Sequence, residues 1–279
     1  MPITDELLVN LNNTFATMVT RVWPAERSRG TVFCIHGFTG NGADFDYLAQ
    51  FLQANGFTVV CPDMIGRGMS TWFGDNKMYT PPHYLSCIRA LSKYAGEKNH
   101  FIGTSWGGII ALLFLYMSRV KAESVILNDI CLKATAALDR IRHGLLDDAT
   151  AEFDSFEAAA AYIEKTRDFI PKAALARYSE NKIVRKGERY RLAYDPAIVA
   201  HFGEVMGRDF ELYSMLVKVR ARMLLMYGAA SPFYDEEIAG ELAARHPNIS
   251  FIPDLNAAHP PALMTYDQAL LVLGYLSQA

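Results

Sequence analysis

The sequence predicts an α/β fold, a mostly parallel sheet with helices on both faces and a helical cap inserted into it. Three observations carry that prediction. Short apolar, β-rich runs alternate with longer helical patterns, the runs are continuously apolar rather than alternating, and one long internal stretch has no strand signal. An unbroken apolar run is the mark of a strand buried on both faces, and intervening helices supply the crossovers that parallel pairing requires.

In chain order, "TVFCIHG" (31–37) precedes "ADFDYLAQFLQANG", "FTVVCPD" (57–63) precedes "PPHYLSCIRALSKYAG", and "HFIGTS" (100–105) precedes "WGGIIALLFLYM". "ESVILND" (123–129) closes this early block of strands. The same rhythm resumes in "RMLLMYG" (222–228) and "ISFIPD" (249–254), with one helix between them and another after. From about Cys131 to Val219 the pattern is helical and charged, as in "ATAALDRIRHGLLDD" and "SFEAAAAYIEKTRDFI". Residues 131–210 hold 13 Lys/Arg against 13 Asp/Glu, so this is a solvated insertion without net charge. The expected organisation is a core of residues 1–130 and 220–279 with a helical cap over 131–219.

With 279 residues, 51% of them hydrophobic, the chain can bury a substantial core. A net charge of −3, with both signs dispersed, argues against nucleic acid or an anionic membrane as partner. The longest apolar run, "GGIIALLFLYM", has 11 residues, well short of the roughly 20 a spanning helix needs. "MPITDELLVNLNNTF" carries acidic residues and no basic-then-apolar segment, so a cytoplasmic protein is expected. The four cysteines, Cys34, Cys61, Cys87 and Cys131, have neither CxxC spacing nor a neighbouring His cluster and are expected to be reduced packing residues. No metal or organic cofactor is implied. The expected partner is a small-molecule substrate, and a homo-oligomer is compatible with the sequence.

The chemistry centres on "GTSWGG", where Gly103, Ser105 and Gly107 form G-x-S-x-G between a strand and a helix. A serine at so tight a turn needs small neighbours on both sides and holds its Oγ clear of the sheet. Its hydroxyl is a poor nucleophile until a base takes the proton, and the base must itself be oriented by a third group. Of the seven histidines, His259 in "DLNAAHPPALM" lies just past the last strand, at the sheet edge where Ser105 also emerges. Ligands of open α/β sheets collect at that edge. His36 is better placed to shape the "HGFTGN" loop, and His83, His100, His143, His201 and His246 read as surface or packing residues. For an oxyanion, the backbone N–H of Trp106 follows the serine, and that of Phe38 sits in a loop that Gly37 and Gly40 allow to turn inward.

"HGFTGN", "CPDMIGRGMS", "GTSWGG" and "HPPAL", in that order and each at a strand end, resemble the α/β-hydrolase superfamily. The resemblance spans roughly 31–130 and 220–279. It implies a Ser–acid–His triad with Ser105 as nucleophile and His259 as base. "LNDI" before the insertion and "YDPAI" within it are also similar to capped hydrolases of small metabolites. The acid departs from the commonest pattern: where many members carry Asp shortly after the strand matching "RMLLMYG", this chain reads "GAASPFYDEE". Two replacements are open. Asp129, at the end of "ESVILND", occupies a place from which a subset of the superfamily draws its acid; Asp235 lies just beyond the usual position.

The expected reaction is hydrolysis of an ester, lactone, amide or C–C bond through an acyl-enzyme on Ser105. The substrate expected is a small metabolite, carboxylated or ring-derived. Arg140, Arg142 and Arg167 in the cap offer guanidinium forks for a carboxylate, against the alternative of solvent-exposed helix arginines. Two rival readings are cofactor-free chemistry by a His–Asp pair on a ring substrate, and a small-molecule receptor with little turnover.

Overall fold

The computed structural model describes residues 1–118, 120–133, 136–200, 211–234, 236–246, 248–254, 256–257 and 259–278, apart from the side chains of residues 136, 137, 139, 140, 236, 239 and 245. The early half runs β1 (Ile3–Asn10), β2 (Phe15–Trp23), β3 (Thr31–Ile35), α1 (Asp46–Ala54), β4 (Thr58–Pro62), α2 (Pro81–Ala90), β5 (Asn99–Thr104), α3 (Trp106–Ser118) and β6 (Ser124–Asn128). The insertion holds α4 (Ala136–Thr150), α5 (Phe156–Thr166), α6 (Leu175–Lys182), β7 (Ile183–Lys186), β8 (Arg189–Leu192) and α7 (Tyr213–Lys218). The chain then returns through β9 (Arg222–Gly228), α8 (Glu236–Arg245), β10 (Ile249–Asp254) and α9 (Tyr266–Leu276).

Eight strands form one sheet in the order β1-β2-β4-β3-β5-β6-β9-β10. From β4 to β10 every neighbouring pair is parallel. These are the strands the apolar runs predicted, and β3 and β6 are buried at every residue. Alternate side chains of β3 feed opposite cores. Phe33 and Ile35 pack with Leu85 and Ile88 of α2 and with Ile110 and Phe114 of α3. Val32 and Cys34 pack with Leu48 and Leu52 of α1 and with Val272 and Leu276 of α9. Each such side chain contributes about 1.5–3 kcal/mol when fully buried. All four cysteines are buried and unbridged.

Two strands precede those legible in the sequence. β1 and β2 form an antiparallel hairpin, and β2 joins the sheet by antiparallel pairing with β4. β1 is the sheet's edge, and from Glu6 to Asn10 it alternates exposed and buried positions, with Leu7 and Val9 facing the core. A one-sided edge strand carries no continuous apolar run, so the signal used for the inner strands does not report it.

The insertion, expected to be helical, contains a hairpin as well. β7 and β8 pair antiparallel around Gly187, whose φ of +65° suits the turn. Both strands are four residues long and rich in Arg and Lys, so they produce no apolar run.

Gly103 and Gly107 earn their place by contact. A Cβ on Gly103 would lie 2.3 Å from the Cα of Gly108, and one on Gly107 would lie 2.3 Å from the Ile35 carbonyl oxygen. Strand-to-helix packing this close admits only glycine, and it sets α3 directly beneath the end of β5.

His100, only 1% exposed, shares a 2.8 Å hydrogen bond with the Ser124 hydroxyl through Nδ1. Burial, aided by the charges of Arg222 and Lys98, pushes its pKa down to about 4. Burial and the Arg67 charge hold His36 well below the ordinary value too. Both groups bind a proton more readily once unfolded, so their contribution is complete above about pH 6.5 and falls away below it, for His100 as pH drops toward 4. His100→Asn is expected to reduce the slope of unfolding free energy against pH, measured by urea titration between pH 5 and 6, by about 1 kcal/mol per pH unit. An unchanged slope would show that His100 binds its proton as readily in the folded protein as in the unfolded chain.

Candidate active site

Ser105 stands between β5 and α3 with φ +50°. Its N–H donates to the Asn128 carbonyl at 2.8 Å, and its own carbonyl accepts from Gly108 N–H at 3.0 Å. A left-handed conformation at a non-glycine residue costs about 1–2 kcal/mol and persists only where the surroundings over-determine it. Here β6 holds one side of the serine and α3 the other.

The structure brings His259 to Ser105 and Asp129 to His259. Nε2 of His259 is 3.5 Å from Ser105 Oγ, and Nδ1 is 3.2 Å from Asp129 Oδ2. The second contact is within ion-pair range, although its alignment falls short of a hydrogen bond. Contacts of this kind commonly tighten when substrate is bound. The Phe233 ring meets the imidazole edge-on, with centroids 4.7 Å apart. Asn128 Nδ2 donates to the Pro261 carbonyl at 2.9 Å and so tethers the loop that carries His259.

Asp129 follows β6 with φ +55° and is fully buried. Its Oδ1 accepts from the Ser231 hydroxyl at 2.6 Å, and its Oδ2 accepts from Gly228 N–H at 3.1 Å. The donors sit on the last residue of β9 and in the turn that follows it, where the sequence lacks the usual carboxylate. That stretch thus supplies hydrogen bonds to an acid carried by the neighbouring strand. Ser231 was not singled out from sequence, because its role exists only when β6 and β9 lie side by side. Asp235, the other candidate acid, lies outside the described residues.

Trp106 begins α3, where backbone N–H groups lack intrahelical acceptors. Phe38 lies on the loop after β3, and that loop is held at several points. His36 Nδ1 and Gly40 N–H both donate to the Gly37 carbonyl, at 2.7 and 3.0 Å, while His36 Nε2 accepts from Met64 N–H at 3.0 Å. These bonds require a neutral ring, which agrees with the lowered pKa of His36. Asp63 braces the same region by accepting from Gly42 and Met69 N–H.

Ser105, His259, Phe38 and Trp106 line one cavity of about 470 Å³. Its walls are largely apolar and come from the core and from the insertion, including Leu138, Ile141 and Leu145 of α4 and Phe169 and Ile170 beyond α5. The polar end is built from Asp148, Tyr162, Arg167 and Tyr178. Arg167 pairs with Asp148, which also accepts from the Tyr162 hydroxyl at 2.7 Å. It is therefore neither a solvent-exposed helix arginine nor an uncommitted fork. Arg142 does not line the cavity, and the side chain of Arg140 lies outside the described residues. Among the described residues, no group of three or more His, Cys, Asp or Glu side chains is arranged to hold a metal ion. Nor is any described helix long and apolar enough to cross a membrane.

Known proteins agree with this architecture. A family profile for the α/β hydrolase fold matches residues 30–164. The 3-hydroxybutyrate-oligomer hydrolase of Cupriavidus necator is 27% identical over 261 residues, covering 88% of each chain. A solved structure of a hydrolase from Rickettsia typhi superposes with a TM-score of 0.85 at 20% identity, covering 100% of this chain and 99% of that one. An α/β hydrolase from Novosphingobium aromaticivorans superposes with a TM-score of 0.83 at 22% identity, covering both chains completely. Sheet order, the strand–serine–helix turn and the family profile converge with these relatives, and the chain is an enzyme with the α/β-hydrolase fold.

Proposed function

We propose that the chain is a serine hydrolase that cleaves esters of short hydroxy acids through an acyl-enzyme on Ser105. The observation that carries this reading is the line from Ser105 Oγ to His259 Nε2 at 3.5 Å and from His259 Nδ1 to Asp129 Oδ2 at 3.2 Å, at the wall of the cavity. His259 takes the Ser105 proton as Oγ attacks the ester carbonyl, and Asp129 stays ionised and holds the imidazole in the tautomer that leaves Nε2 free to accept. The N–H groups of Phe38 and Trp106 receive the oxyanion. Collapse of the tetrahedral adduct expels the alcohol, which takes its proton from His259. Water then attacks the acyl-enzyme by the same route and releases the acid.

The substrate class rests on the cavity and on the relative. About 470 Å³ with apolar walls suits a short acyl group rather than a long lipid, and residues 131–219 act as its cap. The Cupriavidus necator relative is named for hydrolysis of 3-hydroxybutyrate oligomers, which carry a terminal carboxylate and hydroxyl. Arg167, whose fork has more N–H donors than its bond to Asp148 uses, and the Tyr178 hydroxyl offer donors to such a group. Removing Arg167 alone would strand the buried Asp148 carboxylate. The double variant Arg167→Met/Asp148→Asn removes both charges together. It is expected to raise KM for the 3-hydroxybutyrate dimer about tenfold, the worth of one charged hydrogen bond, while changing KM for p-nitrophenyl butyrate by less than threefold. Steady-state kinetics on both esters, with p-nitrophenyl palmitate as the long-chain comparison, check this. Preference for palmitate, or indifference of the dimer's KM to the double substitution, would overturn the substrate class. Failure of a fluorophosphonate to label Ser105 would overturn the reaction.

A further inference from the structure

Arg67, in the "GRG" turn after β4, is wholly buried. Among the described residues no carboxylate pairs with it, and its Nη2 has no hydrogen-bond partner. A cation taken out of water without a counter-ion is expensive, and substitution by an apolar side chain of similar volume usually relieves the cost. Its surroundings say what the charge is kept for. The guanidinium carbon lies 5.1 Å from the centre of the Phe38 ring, 5.0 Å from Tyr84 and 4.6 Å from Trp106. Nε donates to the Phe38 carbonyl at 2.9 Å, while Nη1 donates to the Ile65 carbonyl at 2.8 Å and to the Tyr84 hydroxyl at 2.6 Å. Two of the three rings therefore belong to the residues whose N–H groups are assigned to the oxyanion.

We propose that Arg67 is a positioning residue of the oxyanion pocket. It pins the Phe38 carbonyl, holds the Phe38 and Trp106 rings on one guanidinium, and places an uncompensated positive charge behind both donors. The Gly37–Phe38 peptide is fixed on its other side by the bonds that His36 and Gly40 make to the Gly37 carbonyl. With both flanking carbonyls held, the Phe38 N–H has little freedom to reorient. The charge acts on the reaction and not on the neutral ester, because only the tetrahedral adduct carries a full negative charge. This inference rests on the proposed acyl-enzyme at Ser105.

The test compares a tetrahedral anion with a neutral ligand in the same cavity. Butylboronic acid forms an anionic tetrahedral adduct on a serine, whereas butyramide binds as a neutral ground-state mimic. In Arg67→Met, kcat for p-nitrophenyl butyrate is expected to fall about 10²-fold, the scale of losing one oxyanion donor. Boronate affinity should fall by a similar factor, while KM and butyramide affinity change by less than threefold. Arg67→Lys keeps the charge without the fork and should recover part of both losses. Tyr84→Phe, which removes one acceptor from Nη1 at constant volume, should lower kcat and boronate affinity together by a few-fold. An unchanged kcat in folded Arg67→Met, or an equal loss of boronate and butyramide binding, would overturn the proposal. If Arg67→Met does not fold, Tyr84→Phe decides: no change in kcat or boronate affinity overturns it. A wild-type enzyme that neither reacts with a fluorophosphonate nor binds the boronate would remove the acyl-enzyme reading, and this proposal with it. Wild-type labelling together with insensitivity to Arg67 would remove this proposal alone.

Discussion

Ser105→Ala is expected to lower kcat/KM for p-nitrophenyl butyrate by a factor of about 10⁴ or more while leaving the thermal unfolding profile unchanged. The substitution deletes one half-buried oxygen that meets His259 Nε2 at a long 3.5 Å, so little stability depends on it. The φ of +50° is shared by serine and alanine alike, and the strain of the turn does not change. What remains is catalysis by binding and by the oxyanion donors. His259→Ala should fall as far, and the double variant no further, because nucleophile and base act as one unit. Initial-rate and pre-steady-state kinetics, with circular dichroism for the fold, read all three. Retention of most turnover in Ser105→Ala alongside its loss in His259→Ala would replace the acyl-enzyme by proton abstraction through a His–Asp pair.

Asp129→Asn is expected to cost about 10⁴ in kcat, with Asp235→Asn close to wild type. Asparagine keeps the shape of the side chain but not its charge, so it no longer stabilises the imidazolium that forms in the transition state. Its amide also meets two donors, the Ser231 hydroxyl and Gly228 N–H, that now face a carboxylate. One of them loses its acceptor, and a Tm lower by several degrees should accompany the loss of rate. The Tm shift alone cannot produce the rate effect if assays run well below the transition. Full activity in Asp129→Asn with loss in Asp235→Asn would assign the acid to the turn after β9.

The inner sheet was legible because parallel strands are buried on both faces, and Val32–Ile35 or Val125–Leu127 therefore read as apolar runs. β1, β7 and β8 were not, since an edge strand and a charged hairpin keep one face in water. The serine turn was legible for a local reason: glycines at 103 and 107 sit where backbone approaches backbone within a few residues of Ser105. Asp129 was legible only as one of two carboxylates, and Arg167 only as one of three arginines. Arg67 carried a sequence signal, a charged residue between two glycines after a buried strand, but nothing in that signal says the side chain turns inward.

The sequence by itself determined the strand–serine–helix turn, the parallel core and the loop past the last strand that bears His259. Each depends on periodicity, glycine spacing or turn chemistry acting over a handful of neighbours. Tertiary structure alone decided which carboxylate meets His259, that Ser231 stands 102 positions along the chain to bond it, and that a buried cation lies beneath Phe38 and Trp106. Those pairings join residues far apart in the chain, and only the order of strands in the sheet brings them within hydrogen-bond reach.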